Sequence, residues 1–107
     1  MNTFFATSFM MLAAMAQATD EWPQFRGPSG QGLSDAKGLP LTWSETNNIL
    51  WKTAIPGIGY SSPVVSGNRI WLTSSPDKGQ TRHVLCVDLA SGRISQNIPL
   101  FKCDKTD

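Results

Sequence analysis

His83 is the only histidine of this 107-residue chain, and Cys86 and Cys103 are its only thiols. These side chains, with the carboxylates, are where a general base, a metal ligand or a thiolate would have to be found. Their spacing supports none of these roles. His83 opens an apolar run beside a polar loop, with no second His or Cys placed to complete a metal site, so a solvent-edge role is expected. Asp88 precedes Leu-Ala-Ser-Gly and reads as a turn residue. Ser61-Ser62 lacks the G-x-S-x-G context of an activated serine. Gly27 to Gly32 lacks the Lys-Ser/Thr of a phosphate loop, and no carboxylates show calcium-loop spacing. No catalytic, cofactor-binding or metal-ligating residue is therefore assigned.

The elements that would position these residues begin with a leader. Residues 1–18, MNTFFATSFMMLAAMAQA, hold no charged side chain, and Phe4 to Ala16 are apolar apart from Thr7 and Ser8. That run is shorter than the roughly 20 residues a membrane-spanning helix needs. It ends in Ala16-Gln17-Ala18, the small-x-small pattern of signal peptidase. The reading is a signal peptide cleaved between Ala18 and Thr19; the rival is a buried or interfacial N-terminal helix. The leader has no cysteine for a lipid. The expected product is exported, periplasmic or extracellular, without a membrane anchor. Nine Lys and Arg against eight Asp and Glu leave a net charge of +1 with no basic cluster, which argues against a nucleic-acid partner.

Residues 19–48 read as an irregular arm. In EWPQFRGPSGQG, Glu21 to Gly32, prolines and glycines exclude regular structure while Trp22 and Phe25 offer anchors. Burying an aromatic fully contributes about 1.5–3 kcal/mol, so the two could pin the arm to a body. The alternative is a ligand-binding loop built on Arg26 and the glycines. Thr42 and Glu45 have capping-box spacing, but Asn47-Asn48 break that helix and Ile49 to Ile55, ILWKTAI, reads better as a strand.

Four short segments follow. Ser61–Ser66 and Arg69–Ser75 flank Gly67-Asn68, a primed-hairpin signal. After the polar loop Pro76 to Gln80 come Arg82–Leu89 and, past Ala90-Ser91-Gly92, Arg93–Phe101. This predicts a four-stranded antiparallel meander. Its apolar residues form continuous runs, Val64-Val65, Ile70-Trp71-Leu72 and Val84 to Val87. Side chains alternate faces along a strand, so both faces are apolar and both need cover. No amphipathic helix or second meander is present to supply it. A β-propeller solves the problem, because blades of about 40–50 residues stack face to face. The fold class expected is all-β: arm, closing strand 49–55 of another blade, and a first blade at 61–101, within a propeller domain starting at residue 49. On this reading the chain is the N-terminal part of a longer propeller; the rival is a small protein that pairs blades between copies.

Cys86-Val87-Asp88-Leu89-Ala90-Ser91-Gly92-Arg93 resembles the repeat A-x-D-x-x-T-G-x-x-x-W of quinoprotein-type propellers. Asp88 and Gly92 fall on its Asp and Gly, Ser91 replaces Thr, and Gln96 stands at the Trp position. Leu50-Trp51-Lys52 resembles the outer strand of the same repeat with its Trp retained. With WPQFRGP at Trp22 to Pro28, Gly38-Leu39-Pro40 and SSPVV at Ser61 to Val65, the chain is similar to secreted bacterial PQQ-binding-like β-propeller repeat proteins. The resemblance spans about Glu21 to Asp107. It implies a tight Asp–Gly turn and a Trp stacked between blades. It also resembles, at a distance, the propeller component of the outer-membrane β-barrel assembly machinery, a lipoprotein.

Two functions are compatible with that resemblance. One is a non-enzymatic scaffold or binding module that holds a protein or small-molecule ligand on the propeller face. The other is a PQQ-dependent alcohol or sugar dehydrogenase. Its PQQ, calcium and catalytic residues would lie outside this segment, because the adjacent cysteine pair of well-known members is absent here. The repeat is a structural signature, and no activity follows from it. An exported chain permits a disulfide. With Cys86 opposite about residue 95, however, Cys103 stands roughly 8 residues further on, about 25 Å away, against the 7 Å or so a bridge spans. Either the chain folds back after Phe101, or both thiols are free, or Cys103 pairs elsewhere.

Overall fold

Gly67 takes φ 59°, a left-handed value that glycine adopts without steric cost, and so reverses the chain between two β-branched, aromatic-rich segments. In the computed structural model, which describes residues 21–103, this turn joins β1 (Val64–Ser66) to β2 (Arg69–Ser74). β3 (Thr81–Asp88) and β4 (Ile94–Lys102) complete one antiparallel sheet in the order β1-β2-β3-β4. The described residues contain no helix. The chain is thus all-β, and the expected meander is observed. The signal peptide of residues 1–18 and its cleavage point lie outside the described residues.

β1 is shorter than the expected Ser61–Ser66, for a local reason. Pro63 has no N–H to give to a ladder. Instead the Ser61 hydroxyl accepts from the Thr73 N–H at 3.0 Å and donates to the Thr73 carbonyl at 3.2 Å. A side chain thus replaces the missing backbone pair. Pairing resumes at Ile58 and Ser75, whose N–H groups each donate to the other's carbonyl at 3.0 and 2.7 Å. Residues 58–66 are therefore an interrupted strand running antiparallel to β2.

The register places both sets of apolar side chains. Residues directly opposite in an antiparallel pair share a face. Val65, Ile70, Val87 and Ile94 form one row, with Leu72 and Leu85 beside it. Val64, Trp71 and Cys86 form a row on the other face, with Val84 opposite Ile98 and Arg82 opposite Phe101. Leu85, Cys86 and Val87 are the buried hydrophobic residues, and all three lie on β3. The second face remains open: Ile98 and Phe101 are 44% and 58% exposed. The two apolar faces read from the sequence are present, and one is largely uncovered.

The arm meets the sheet at its β1 edge. Trp22 and Val65 exchange backbone hydrogen bonds of 2.8 and 2.9 Å, and a Glu21 carboxylate oxygen accepts from the Gly67 N–H at 2.7 Å. The Trp22 ring lies against Gly27, where an added Cβ would stand 2.6 Å from it. Phe25 departs from expectation. It is 66% exposed and does not anchor the arm to this sheet; the Arg26 guanidinium lies 5.4 Å from its ring centroid instead. The turn from Gln24 to Gly27 carries Phe25 away from the sheet edge that Trp22 grips.

Residues 49–55, expected as a strand of another blade, join no ladder among the described residues. Trp51 and Thr53 contact the β3–β4 turn, Ile55 lines a cleft with Leu72, and Ile58 reaches Ser75 at the opposite end of β2. The segment runs the length of the sheet as a strap on the side carrying Leu72 and Leu85.

Candidate functional site

The β3–β4 turn is where the sequence signature becomes geometry. One Asp88 carboxylate oxygen accepts from the Ser91 N–H and the Ser91 hydroxyl, each at 2.7 Å. The other accepts from the Asn68 side-chain amide at 2.7 Å. The Gly92 N–H donates to the Asp88 carbonyl at 2.8 Å with Gly92 at φ 71°. These bonds explain the residue types. A short acceptor must reach forward three residues, a hydroxyl residue must close the loop, and glycine must take the left-handed position. The Asn68 contact ties this turn to the β1–β2 turn, a link that local reading missed because Asn68 had been assigned only to its own hairpin.

Trp51 sits on this turn. Its indole N–H donates to the Leu89 carbonyl at 2.9 Å, and its ring covers Gly92 so closely that an added Cβ would lie 2.5 Å from Cδ2. Thr53 adds a hydrogen bond of 2.5 Å from its hydroxyl to the Gly92 carbonyl. Gly92 thus meets two demands, a left-handed backbone and a flat surface for an aromatic ring. Thr53 gave no sequence signal, since its partner lies 39 positions away.

The remaining candidates do not converge. His83 Nδ1 is 2.7 Å from Asn97 Oδ1 across the β3–β4 pair. Ser61 is engaged with Thr73. Gly27, Gly30 and Gly32 form turns through backbone hydrogen bonds. Cys86 lies opposite Gln96 inside the sheet, whereas Cys103 follows β4 and donates its N–H to the Gln80 carbonyl at 2.6 Å. At strand rise the two are about 20 Å apart along the sheet, and both thiols are free. Among the described residues no three His, Cys, Asp or Glu side chains group as metal ligands, and no helix is long and apolar enough to cross a membrane.

Two carboxylates are held below their ordinary pKa of 3.8. For Asp88 the main cause is the Ser91 hydroxyl, then the Ser91 N–H. For Asp77 it is the Thr81 hydroxyl, against a smaller opposing desolvation. A lowered folded-state pKa contributes stability that is present above about pH 4 and is lost as pH falls through the folded value. Asp88→Asn is therefore expected to lower the urea midpoint at pH 7, with the gap to the parent closing as pH drops below about 4. Some acid sensitivity should persist through Asp77. A gap that stays constant from pH 7 to pH 3 would show that the Asp88 charge does not hold this turn.

No family model matches the chain, and neither a curated protein nor a solved structure matches it.

Proposed function

We propose that this chain supplies the arm, a docking tryptophan and one blade of a quinoprotein-type β-propeller that acts, after export, as a non-enzymatic scaffold or binding module. The observation that carries the reading is the seat of Trp51 on Gly92, with its indole N–H on Leu89. A tryptophan from a preceding segment laid against the next sheet supports the stacking between blades that the resemblance implies. The open apolar face supports it, because Val84, Ile98, Trp71 and Phe101 are the surface a neighbouring blade would cover. The neighbour can come from the same polypeptide or from another copy. The ligand side rests on the propeller reading, since a ring of blades gathers loops from every blade on each of its faces.

Light scattering of the purified chain tests the blade reading. It is expected to self-associate and to bind a hydrophobic dye until its open face is covered. A monodisperse monomer that binds no dye and unfolds cooperatively would overturn it. The non-enzymatic assignment has its own check. Supplied with PQQ and calcium, the protein is expected to reduce no dye with alcohols or sugars, and turnover would replace the scaffold with a dehydrogenase.

A further inference from the structure

The end of the sheet opposite the Asp88 turn holds a cleft of about 240 Å³ between residues 58–60 and the β2–β3 loop. Its walls include Ile58, Tyr60, Thr73, Ser75, Gly79 and Arg82. Both sides are built to stay in place. The Ile58–Ser75 bridge fixes one, with Gly59 packed against the Thr73 carbonyl. The loop is fixed by Asp77, which accepts from the Thr81 N–H at 2.6 Å and from the Thr81 hydroxyl, and whose carboxylate lies 3.2 Å from the Ser75 hydroxyl oxygen. The Ser75 hydroxyl donates in turn to the Thr81 carbonyl at 2.6 Å.

Into this setting comes one cation, Arg82, that forms no ion pair among the described residues. Arg82 Nη1 donates to the Gly79 carbonyl at 2.8 Å, which folds the guanidinium back over the loop. A guanidinium carries five N–H donors, so one bond leaves most of them free for a ligand. The ion pair formed among the described residues is Lys52–Glu45, which does not involve Arg82. Asp77, the nearby carboxylate in sequence, is committed to Thr81 and Ser75. Around this charge the cleft presents apolar surface from Ile58 and Tyr60, which are otherwise exposed to water.

We propose that this cleft binds a small monocarboxylate with an apolar, single-ring body, its carboxylate on Arg82 and its ring against Ile58 and Tyr60. One arginine matches one negative charge with bidentate geometry. At about 30 Å³ per water the cleft of about 240 Å³ holds roughly eight waters, enough for one ring. The inference goes beyond the scaffold reading; because Arg82 lies opposite Phe101 on the face a neighbouring blade would cover, it requires that the cleft, at the β2–β3 loop end of that face, stay clear of the neighbour.

Saturation-transfer NMR, which works on assemblies of any size, provides the test with benzoate as probe and benzamide as its neutral counterpart. Benzoate is expected to saturate and to bind at least tenfold more tightly than benzamide. Arg82→Gln should remove that preference, Arg82→Lys should restore part of it, and Ile58→Ala should weaken both probes while leaving the backbone bridge in place. Equal binding of the two probes, no saturable binding of either, or an Arg82→Gln variant with unchanged preference would each overturn the proposal.

Discussion

Replacing Gly57 by alanine is expected to lower stability by about 3–4 kcal/mol, the largest effect of any single methyl group in this chain. Gly57 has φ 85°, and a non-glycine residue in a left-handed conformation costs about 1–2 kcal/mol. The added Cβ would also overlap the Ser75 carbonyl group and stand 2.5 Å from Pro76 Cα. These are backbone atoms and cannot rotate aside. The Ser75 carbonyl is held by the Ile58 N–H, and the Ser75 N–H by the Ile58 carbonyl. Relief therefore requires the loss of both bonds, each with a net contribution of about 1 kcal/mol. Gly30→Ala is the control, since Gly30 has a similar φ of 71° but nothing near its missing side chain. It is expected to cost only the backbone strain. Urea midpoints of the two variants, with amide exchange at Ile58 and Ser75, make the comparison. If both glycines cost the same, the close approach of residue 57 to Ser75 is not part of the folded chain. Because the same bridge fixes one wall of the Arg82 cleft, Gly57→Ala should also weaken benzoate binding.

The second large effect is expected where Trp51 covers Gly92. Trp51→Ala removes a half-buried ring and its hydrogen bond to Leu89, and is expected to cost about 2–4 kcal/mol. Trp51→Phe keeps a ring but loses the donor, for about 1 kcal/mol. Gly92→Ala adds strain at φ 71° and drives a methyl into the indole. In the Trp51→Ala background the methyl meets open space and only the strain remains, so the double variant should be more stable than the sum of the singles implies by about 1–2 kcal/mol. Strict additivity would mean that the ring does not rest on this glycine. The cycle also bears on the propeller reading, for which this contact is the main support.

Much of this could be read before any coordinates, because it is local. The hairpin at Gly67-Asn68, the Asp77 loop, and the Asp88–Gly92 turn each depend on residues within a few positions of one another. Turn chemistry is written in residue type at that range. The continuous apolar runs put hydrophobic groups on both faces, and the register confirms both rows. Strand ends were less legible. Pro63 shortened β1 and the Ser61 hydroxyl took over its pairing, an exchange that depends on where Thr73 lies in space.

The anchors of the irregular segments divided along the same line. Trp22 and Phe25 look alike in sequence, yet Trp22 bridges Val65 and packs on Gly27 while Phe25 turns to water beneath Arg26. Ile49 to Ile55 has the composition of a strand, and the structure places it along the sheet with no ladder partner among the described residues. The Arg82 cleft was invisible for the same reason, since its walls come from residues 58–60 and the β2–β3 loop. By itself the sequence determined the sheet, its meander order, its turns and its two apolar faces, because alternation and turn chemistry act over a few residues. Only the tertiary structure decided which aromatic bonds the arm to the sheet, where Trp51 rests and which residues wall the cleft around Arg82. Those outcomes depend on surfaces brought together over many positions, 38 for Trp51 with Leu89, and residue type does not encode which surface arrives.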